Sequence, residues 1–176
     1  MRRTSFANWP CSIARTMDLL GDWWTPLVLR ESFYGVTRFD VFQQQLGIAR
    51  NTLADRLRRL VDEGILEKRP YQSEPVRHEY VLTEKGRDFF GVLAAMNSWG
   101  NRWLSGDDGA PVVFRHEPCG HDSTAEVVCA HCKAPMTSAD TRPRMGPGFP
   151  AGLADRAEVR RRFAHDAVDG PALENF

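Results

Sequence analysis

The sequence predicts a mainly α-helical chain with one small β-hairpin, followed by a small β element rich in Cys and His. Three observations predict it. Between Thr37 and Gly64 two short amphipathic runs, TRFDVFQQQL and GIARNTLADRLRRLVDEG, meet at Gly47-Ile48. Directly after them, ILEKRPY and HEYVLT offer strand-like apolar positions on either side of a polar QSEPVR stretch. Between Phe114 and Met136 lie three of the chain's four cysteines and three of its five histidines.

With 176 residues the chain can hold one good core plus a small appendage. Its formal net charge of zero argues against a polycation that coats nucleic acid indiscriminately, but leaves room for a local basic face. Between Ile48 and Arg77 seven basic residues stand against five acidic ones, a weak local excess. No apolar run approaches the ~18–20 residues of a membrane span. MRRTSFANWPC lacks the apolar core of a signal peptide, so a cytoplasmic protein without a membrane partner is expected. Cysteines clustered late in such a chain suit a metal site better than a disulfide framework.

Taken in order, Ile13, Met17 and Leu20 recur at i, i+4, i+7 and predict a first helix ended by Gly21. Thr25-Pro26 supplies an N-cap and a residue pre-organised for the first helical position, so a second helix should run to about Tyr34. In the third, Phe39, Phe42 and Leu46 face inward, and Thr37 with Asp40 resembles a capping box. In the fourth, Leu53, Leu57 and Leu60 face inward, which turns Asn51, Asp55, Arg58 and Asp62 outward at ~100° per residue. The hairpin follows, its polar tip predicted at Gln72–Arg77, with Pro70 and Pro75 outside any continuous ladder. Thr83 then caps a long helix over residues 84–104. Its apolar residues Phe89, Phe90, Leu93, Met96, Trp99 and Trp103 cover more than one narrow stripe, which fits a helix shared with a second subunit.

Helix, helix, helix-turn-helix, hairpin, helix is the order of a winged helix. CSIARTMDLLGDWWTPLVLRESFYGVTRF, LGIARNTLADRLRRLVDEGILEKRPY and PVRHEYVLTEKGRDFFGVLAAMNSWG resemble the HxlR-type regulators of bacteria and archaea, relatives of the MarR type. The resemblance implies a homodimeric, DNA-binding transcription regulator. Its winged helix domain, for binding DNA and for dimerisation through the N-terminal helix and helix 84–104, would occupy residues 9–106. One position departs: the family usually has Ser where Ala49 stands, before the recognition helix. Loss of such a cap costs ~0.5–2 kcal/mol of helix stability.

An α-helix fits the major groove, where base pairs show distinct donor and acceptor patterns. Arg50, Asn51, Thr52 and Asp55 are therefore the candidates for base edges, on a recognition helix of about residues 49–63. Arg58 and Arg59, with Thr37 and Arg38 at the start of the preceding helix, are candidates for phosphates. Arg77 on the hairpin wing, residues 65–82, would reach the flanking backbone. Arg56, near the buried edge, suits a structural ion pair. A dimer would span a pseudo-palindromic operator on double-stranded DNA. The alternative is a winged helix and Cys/His element that contacts proteins without reading DNA. An outer face bearing Arg50, Asn51 and Arg58 favours the first reading. No nucleophile–base pair at a recognisable spacing and no phosphate-binding glycine loop points to an enzyme.

Past Gly109, His116-x-x-Cys119 and Cys129-x-x-Cys132 are two ligand pairs of equal spacing, the layout of a small zinc ribbon over residues 110–138. The expected cofactor is structural zinc, with His121 as an alternative ligand to His116. Val112–Phe114 and Val127-Val128 would be the strands leading into each knuckle. A reduced thiol pair with redox work is the rival reading. Cys11, at a helix start near Arg15, has surroundings that lower a thiol pKa, and some members of the resembled family sense oxidants there. A redox or small-molecule effector is thus an open partner. Residues 139–176 read as a Pro/Gly linker, one short helix at ADRAEVRRRFAH and a frayed end.

Overall fold

In the computed structural model, which describes residues 5–164, the first four helices are α1 (Ser12–Leu20), α2 (Trp24–Phe33), α3 (Phe39–Leu46) and α4 (Arg50–Asp62). The wing is an antiparallel hairpin of β1 (Leu66–Ser73) and β2 (Val76–Leu82), followed by α5 (Glu84–Asp88) and α6 (Phe90–Trp103). The fold is therefore the expected mainly helical winged helix.

Its core forms where the inward stripes of these helices meet. Val28, Leu29, Phe42, Leu53, Leu57 and Leu60 are wholly excluded from solvent, and Ile48, Ile65 and Leu66 close the same cluster. Gly47 ends α3 in the left-handed conformation, φ 61°, and its N–H bonds back to the Gln43 carbonyl. The chain can thus reverse within the few residues before α4. At the far end of α4 the last carbonyls are met by Lys85, whose Nζ donates to Glu63 O at 2.6 Å. Thr83 Oγ1 likewise donates to Gly64 O at 2.7 Å. A cation there also opposes the negative end of the helix dipole.

Several local expectations are corrected. Thr25 does not cap α2. Asp22 does, its Oδ1 accepting from the N–H groups of Trp24 (3.0 Å) and Thr25 (3.2 Å). The Thr37–Asp40 capping box is absent, because Thr37 O accepts from Tyr80 N at 2.7 Å and Arg38 bridges to Glu79. The backbone before α3 is thereby held extended against the wing, and α3 starts only at Phe39. The ladder of the wing continues to Ser73 opposite Val76, leaving a tip of Glu74-Pro75 rather than Gln72–Arg77. Pro70 lies inside the ladder beside a register shift at Tyr71, a position open to proline because β1 is an edge strand.

The single helix expected over 84–104 is broken at Phe89. Thr83 caps its first part as predicted, accepting from Gly86 N at 3.1 Å. Gly86 is buried against the Ile65 carbonyl, and this contact fixes α5 at the root of the wing while α6 turns away. Within α6 the apolar surplus resolves into two faces. Phe89, at its N-cap, with Leu93 and Ala94, faces the core. Val92, Met96, Trp99 and Trp103, spaced i, i+4, i+7, i+11, are exposed. On α1, too, Leu20 is buried while Ile13 and Met17 are exposed, at 74% and 51%.

Beyond α6 the chain lies along that helix, with Asn101 Nδ2 donating to Val112 O at 2.8 Å and Ala125 N donating to Ser98 Oγ at 2.8 Å. A second hairpin pairs β3 (Phe114–His116) with β4 (His121–Ser123). The strands thus flank the first knuckle. Val112 and Val113 are not in them, and Val128 forms only an isolated bridge to Pro135. The short helix expected in ADRAEVRRRFAH forms as α8 (Ala157–Phe163); an additional turn, α7 (Ala151–Ala154), precedes it, and the ring of Phe149 meets that of Phe163 at 5.4 Å. The end read as frayed lies outside the described residues. Among the described residues, no helix is long and apolar enough to cross a membrane.

Candidate nucleic-acid interface

The exposed side of α4 is built by what its other side must do. Leu53, Leu57 and Leu60 are fully buried, so the residues opposite them project into solvent: Arg50, Asn51, Asp55 and Arg58 are exposed, and Thr52 is half-buried. Two contacts order this face. Arg50 lies with its guanidinium 5.0 Å from the centre of the Phe39 ring, which anchors the first turn of α4 onto α3. Arg58 Nη2 donates to Asp55 Oδ1 at 2.8 Å, an exposed pair one turn apart. Ala49 precedes the helix with no side chain that can bond the first N–H groups, so α4 starts without a side-chain cap.

The other candidates fall in different places. Arg38 is exposed, and its guanidinium sits 4.6 Å from the centre of the Tyr71 ring, tying the start of α3 to β1. Thr37 is half-buried, its carbonyl engaged by Tyr80 N. Arg77 is exposed on β2, opposite Gln72 and two residues beyond Pro75 of the tip. Arg59 is not brought to the outer face: it turns to α1, donating to the Asp18 carbonyl, with Asp18 Oδ2 3.9 Å away. Arg56 makes the expected structural ion pair, with Asp22, the carboxylate that also caps α2. Sequence reading missed the aromatic supports Phe39 and Tyr71. Each had a visible signal as a ring, but its arginine partner is set by the tertiary fold.

The Cys/His element forms two separate turns. In the first, His116 Nδ1 is 3.3 Å from Cys119 Sγ, and the N–H groups of Cys119 and Gly120 both bond to His116 O. In the second, Cys129 N bonds to Ala134 O and Lys133 N to Cys129 O. In each turn the residue after the second ligand candidate has a left-handed backbone, Gly120 at φ 69° and Lys133 at φ 62°. The N–H groups of Cys132 and His131, then the Cys132 thiol, hold the Cys129 thiol below its ordinary range. Each pair is therefore formed, but no group of three or more His, Cys, Asp or Glu gathers to hold a metal ion among the described residues. His121 lies across the β3–β4 hairpin from His116. Cys11, at the N-cap of α1, is an exposed free thiol, and Arg15 beside it donates to Trp9 O at 2.8 Å.

A helix-turn-helix with a polar outer face, a hairpin wing and exposed arginines on both defines the winged helix class of nucleic-acid reader. The chain belongs to the HxlR-like helix-turn-helix family, whose model matches residues 19–108. It is 44% identical over 143 residues to the HTH-type transcriptional regulator Rv3095 of Mycobacterium tuberculosis, covering 81% of this chain and 90% of that one. With the HTH-type transcriptional regulator sll1512 of Synechocystis it shares 42% identity over 95 residues, 53% of this chain and 70% of that one. Among solved structures it is similar to PA1607, described as a candidate transcription factor. The TM-score is 0.74 at 37% identity, over 81% of this chain and 100% of that one. PA1374 of Pseudomonas aeruginosa matches at a TM-score of 0.56 and 35% identity, over 86% and 99%.

Proposed function

We propose that this protein is a DNA-binding transcription regulator that acts as a homodimer, each copy setting α4 in the major groove and its wing on the flanking backbone. The observation that carries the reading is the division of α4 into a fully buried leucine face and an exposed face of Arg50, Asn51, Asp55 and Arg58. Relatives named as transcriptional regulators support it. Arg50 suits a guanine edge and Asn51 an adenine edge, Thr52 a base methyl or phosphate. Arg58, Arg38, Thr37 and Arg77 suit the phosphates; Arg59 serves α1 instead. Dimerisation would cover the exposed stripe of α6 and the apolar residues of α1, and place the two α4 helices roughly 34–36 Å apart on a pseudo-palindrome. Selection from a random duplex library tests the whole: a recovered inverted repeat with salt-dependent release is expected. Retention without any enriched sequence, or none at all, overturns it and favours a protein-contact module.

Asn51→Ala is expected to relax specificity at one position of each half-site, with a loss of ~1–3 kcal/mol in discrimination read by competition binding. Arg58→Ala should weaken all sequences alike and flatten the slope of log affinity against log salt by about one. The same substitution strips Asp55 of its partner, whose repulsion toward phosphate adds to the loss.

For the tail we propose one structural zinc held by His116, Cys119, Cys129 and Cys132. The support is chemical: two turns of like geometry, each with paired N and S or S and S donors, the second with a thiol already biased toward thiolate. Zinc there would tie the two turns together, a closed site without a catalytic role. Metal analysis after gel filtration should find about one zinc per chain, falling below half in Cys129→Ser. Equal metal content in both proteins would refute the assignment.

A further inference from the structure

A cavity of about 350 Å³ opens between α2, α6 and β3, on the side of α2 away from α4. That volume lies at the small end of those that hold small-molecule ligands. Leu27, Phe33 and Tyr34 line it from α2, Phe90 from α6 and Phe114 from β3. The rings make a tilted chain, Phe33 to Phe90 at 5.3 Å and Phe90 to Phe114 at 5.6 Å, so the walls offer both ring faces and ring edges. A flat aromatic guest meets such walls in the offset and edge-on geometries that aromatic pairs prefer.

Two polar side chains at the rim have partners within the chain. Arg30 donates to the buried Glu31 carboxylate at 2.5 Å, and Asn97 Nδ2 faces Val112 O at 3.4 Å. The charge of Arg30 is thus already offset by Glu31, so a carboxylate guest would find little net positive charge to meet its own, whereas a neutral guest needs only one spare N–H. A second copy of the chain is better suited to the neighbouring groove of Val92, Trp99, Gly100 and Leu104, which is larger and more open. We infer that the smaller, more sheltered cavity is an effector site for a neutral, planar aromatic molecule of one or two rings. Its regulatory side rests on the DNA-binding reading above. The opposite face of α2, Val28 and Leu29, shares the core with the leucines of α4. If guest and DNA favour different positions of α2, each weakens the other by the same factor, at most the guest's own preference between those positions.

Titration of the full chain without DNA, with 1-naphthol as a neutral probe and 1-naphthoate as its charged counterpart, tests the site apart from the regulatory reading. Saturable binding of one naphthol per chain is expected, with naphthoate at least about fivefold weaker. Leu27→Trp, which fills the cavity, and Phe114→Ala, which removes a wall on the element beyond α6, should each weaken naphthol about tenfold or more. If Leu27→Trp fails to fold, Phe114→Ala decides. No saturable binding, affinity unchanged in the folded variants, or naphthoate equal to naphthol overturns the site. With binding established, a DNA affinity unmoved by saturating naphthol overturns its regulatory role alone.

Discussion

Trp99→Glu is expected to leave the winged helix folded but monomeric, and to lower affinity for a full operator by about 10²–10⁴-fold. Trp99 is 60% exposed and sits mid-stripe on α6, between Met96 and Trp103, where its removal opens no cavity in the core. A buried carboxylate at a subunit contact costs several kcal/mol unless it finds a partner, so association should fail before folding does. A monomer loses the gain that comes from making the second half-site contact intramolecular. Sedimentation velocity reads the oligomer, circular dichroism the fold, and titration of a half-site the intact reading face. Half-site affinity should be nearly unchanged. A variant that still sediments as a dimer would remove α6 from the interface.

Gly86→Ala is expected to destabilise the domain by about 3 kcal/mol or more, the upper range for forcing atoms into a packed site. A Cβ at this position would run into the Ile65 carbonyl oxygen and sit 3.0 Å from Leu82 Cδ2. The first obstacle is backbone at the root of the wing, where Thr83 N also bonds to Ile65 O at 3.0 Å, so it cannot step aside without disturbing the hairpin. Chemical denaturation would show a lower midpoint. Gly91→Ala, on α6 where an added Cβ meets nothing within 4 Å, is the control.

That contact also explains what could and could not be read from the chain. The leucines of α4 and the aromatic positions of α3 repeat at helical spacing, so which face is buried, and hence which faces outward, was legible from residue order. The Thr83 cap and the glycine stops at Gly21 and Gly47 were legible too, but other caps and the break were not. Thr25-Pro26 has the right local chemistry for a helix start, yet Asp22 takes that role because it is also held by Arg56 from α4. Nothing in residues 84–104 marks a break at Phe89; it follows from Gly86 lying against Ile65, twenty-one positions earlier. Thr37 and Asp40 have residue types suited to a capping box, but β2 claims the Thr37 backbone. Among the arginines, Arg58 and Arg59 are neighbours in sequence, and only the position of α1 separates the one in solvent from the one on Asp18. Each miss is a long-range contact outweighing a sound local preference.

The ties of Arg56 to Asp22 and of Arg59 to Asp18 have a mechanical side. They fasten α4 to the segment that carries Ile13 and Met17, so that the helix proposed to enter the groove and a part proposed to grip the partner are tied to each other. A dimer of the proposed kind would then behave as a fixed calliper rather than a hinged pair of arms. It would have a set jaw width and little slack with which to follow a stretched target. Adding a single base pair between half-sites rotates one by roughly a tenth of a turn, and the calliper should lose most of its grip on that DNA. Cutting the ties with Arg56→Met and Arg59→Met should trade that strictness for tolerance, measured as a smaller affinity gap between the native and the lengthened spacer.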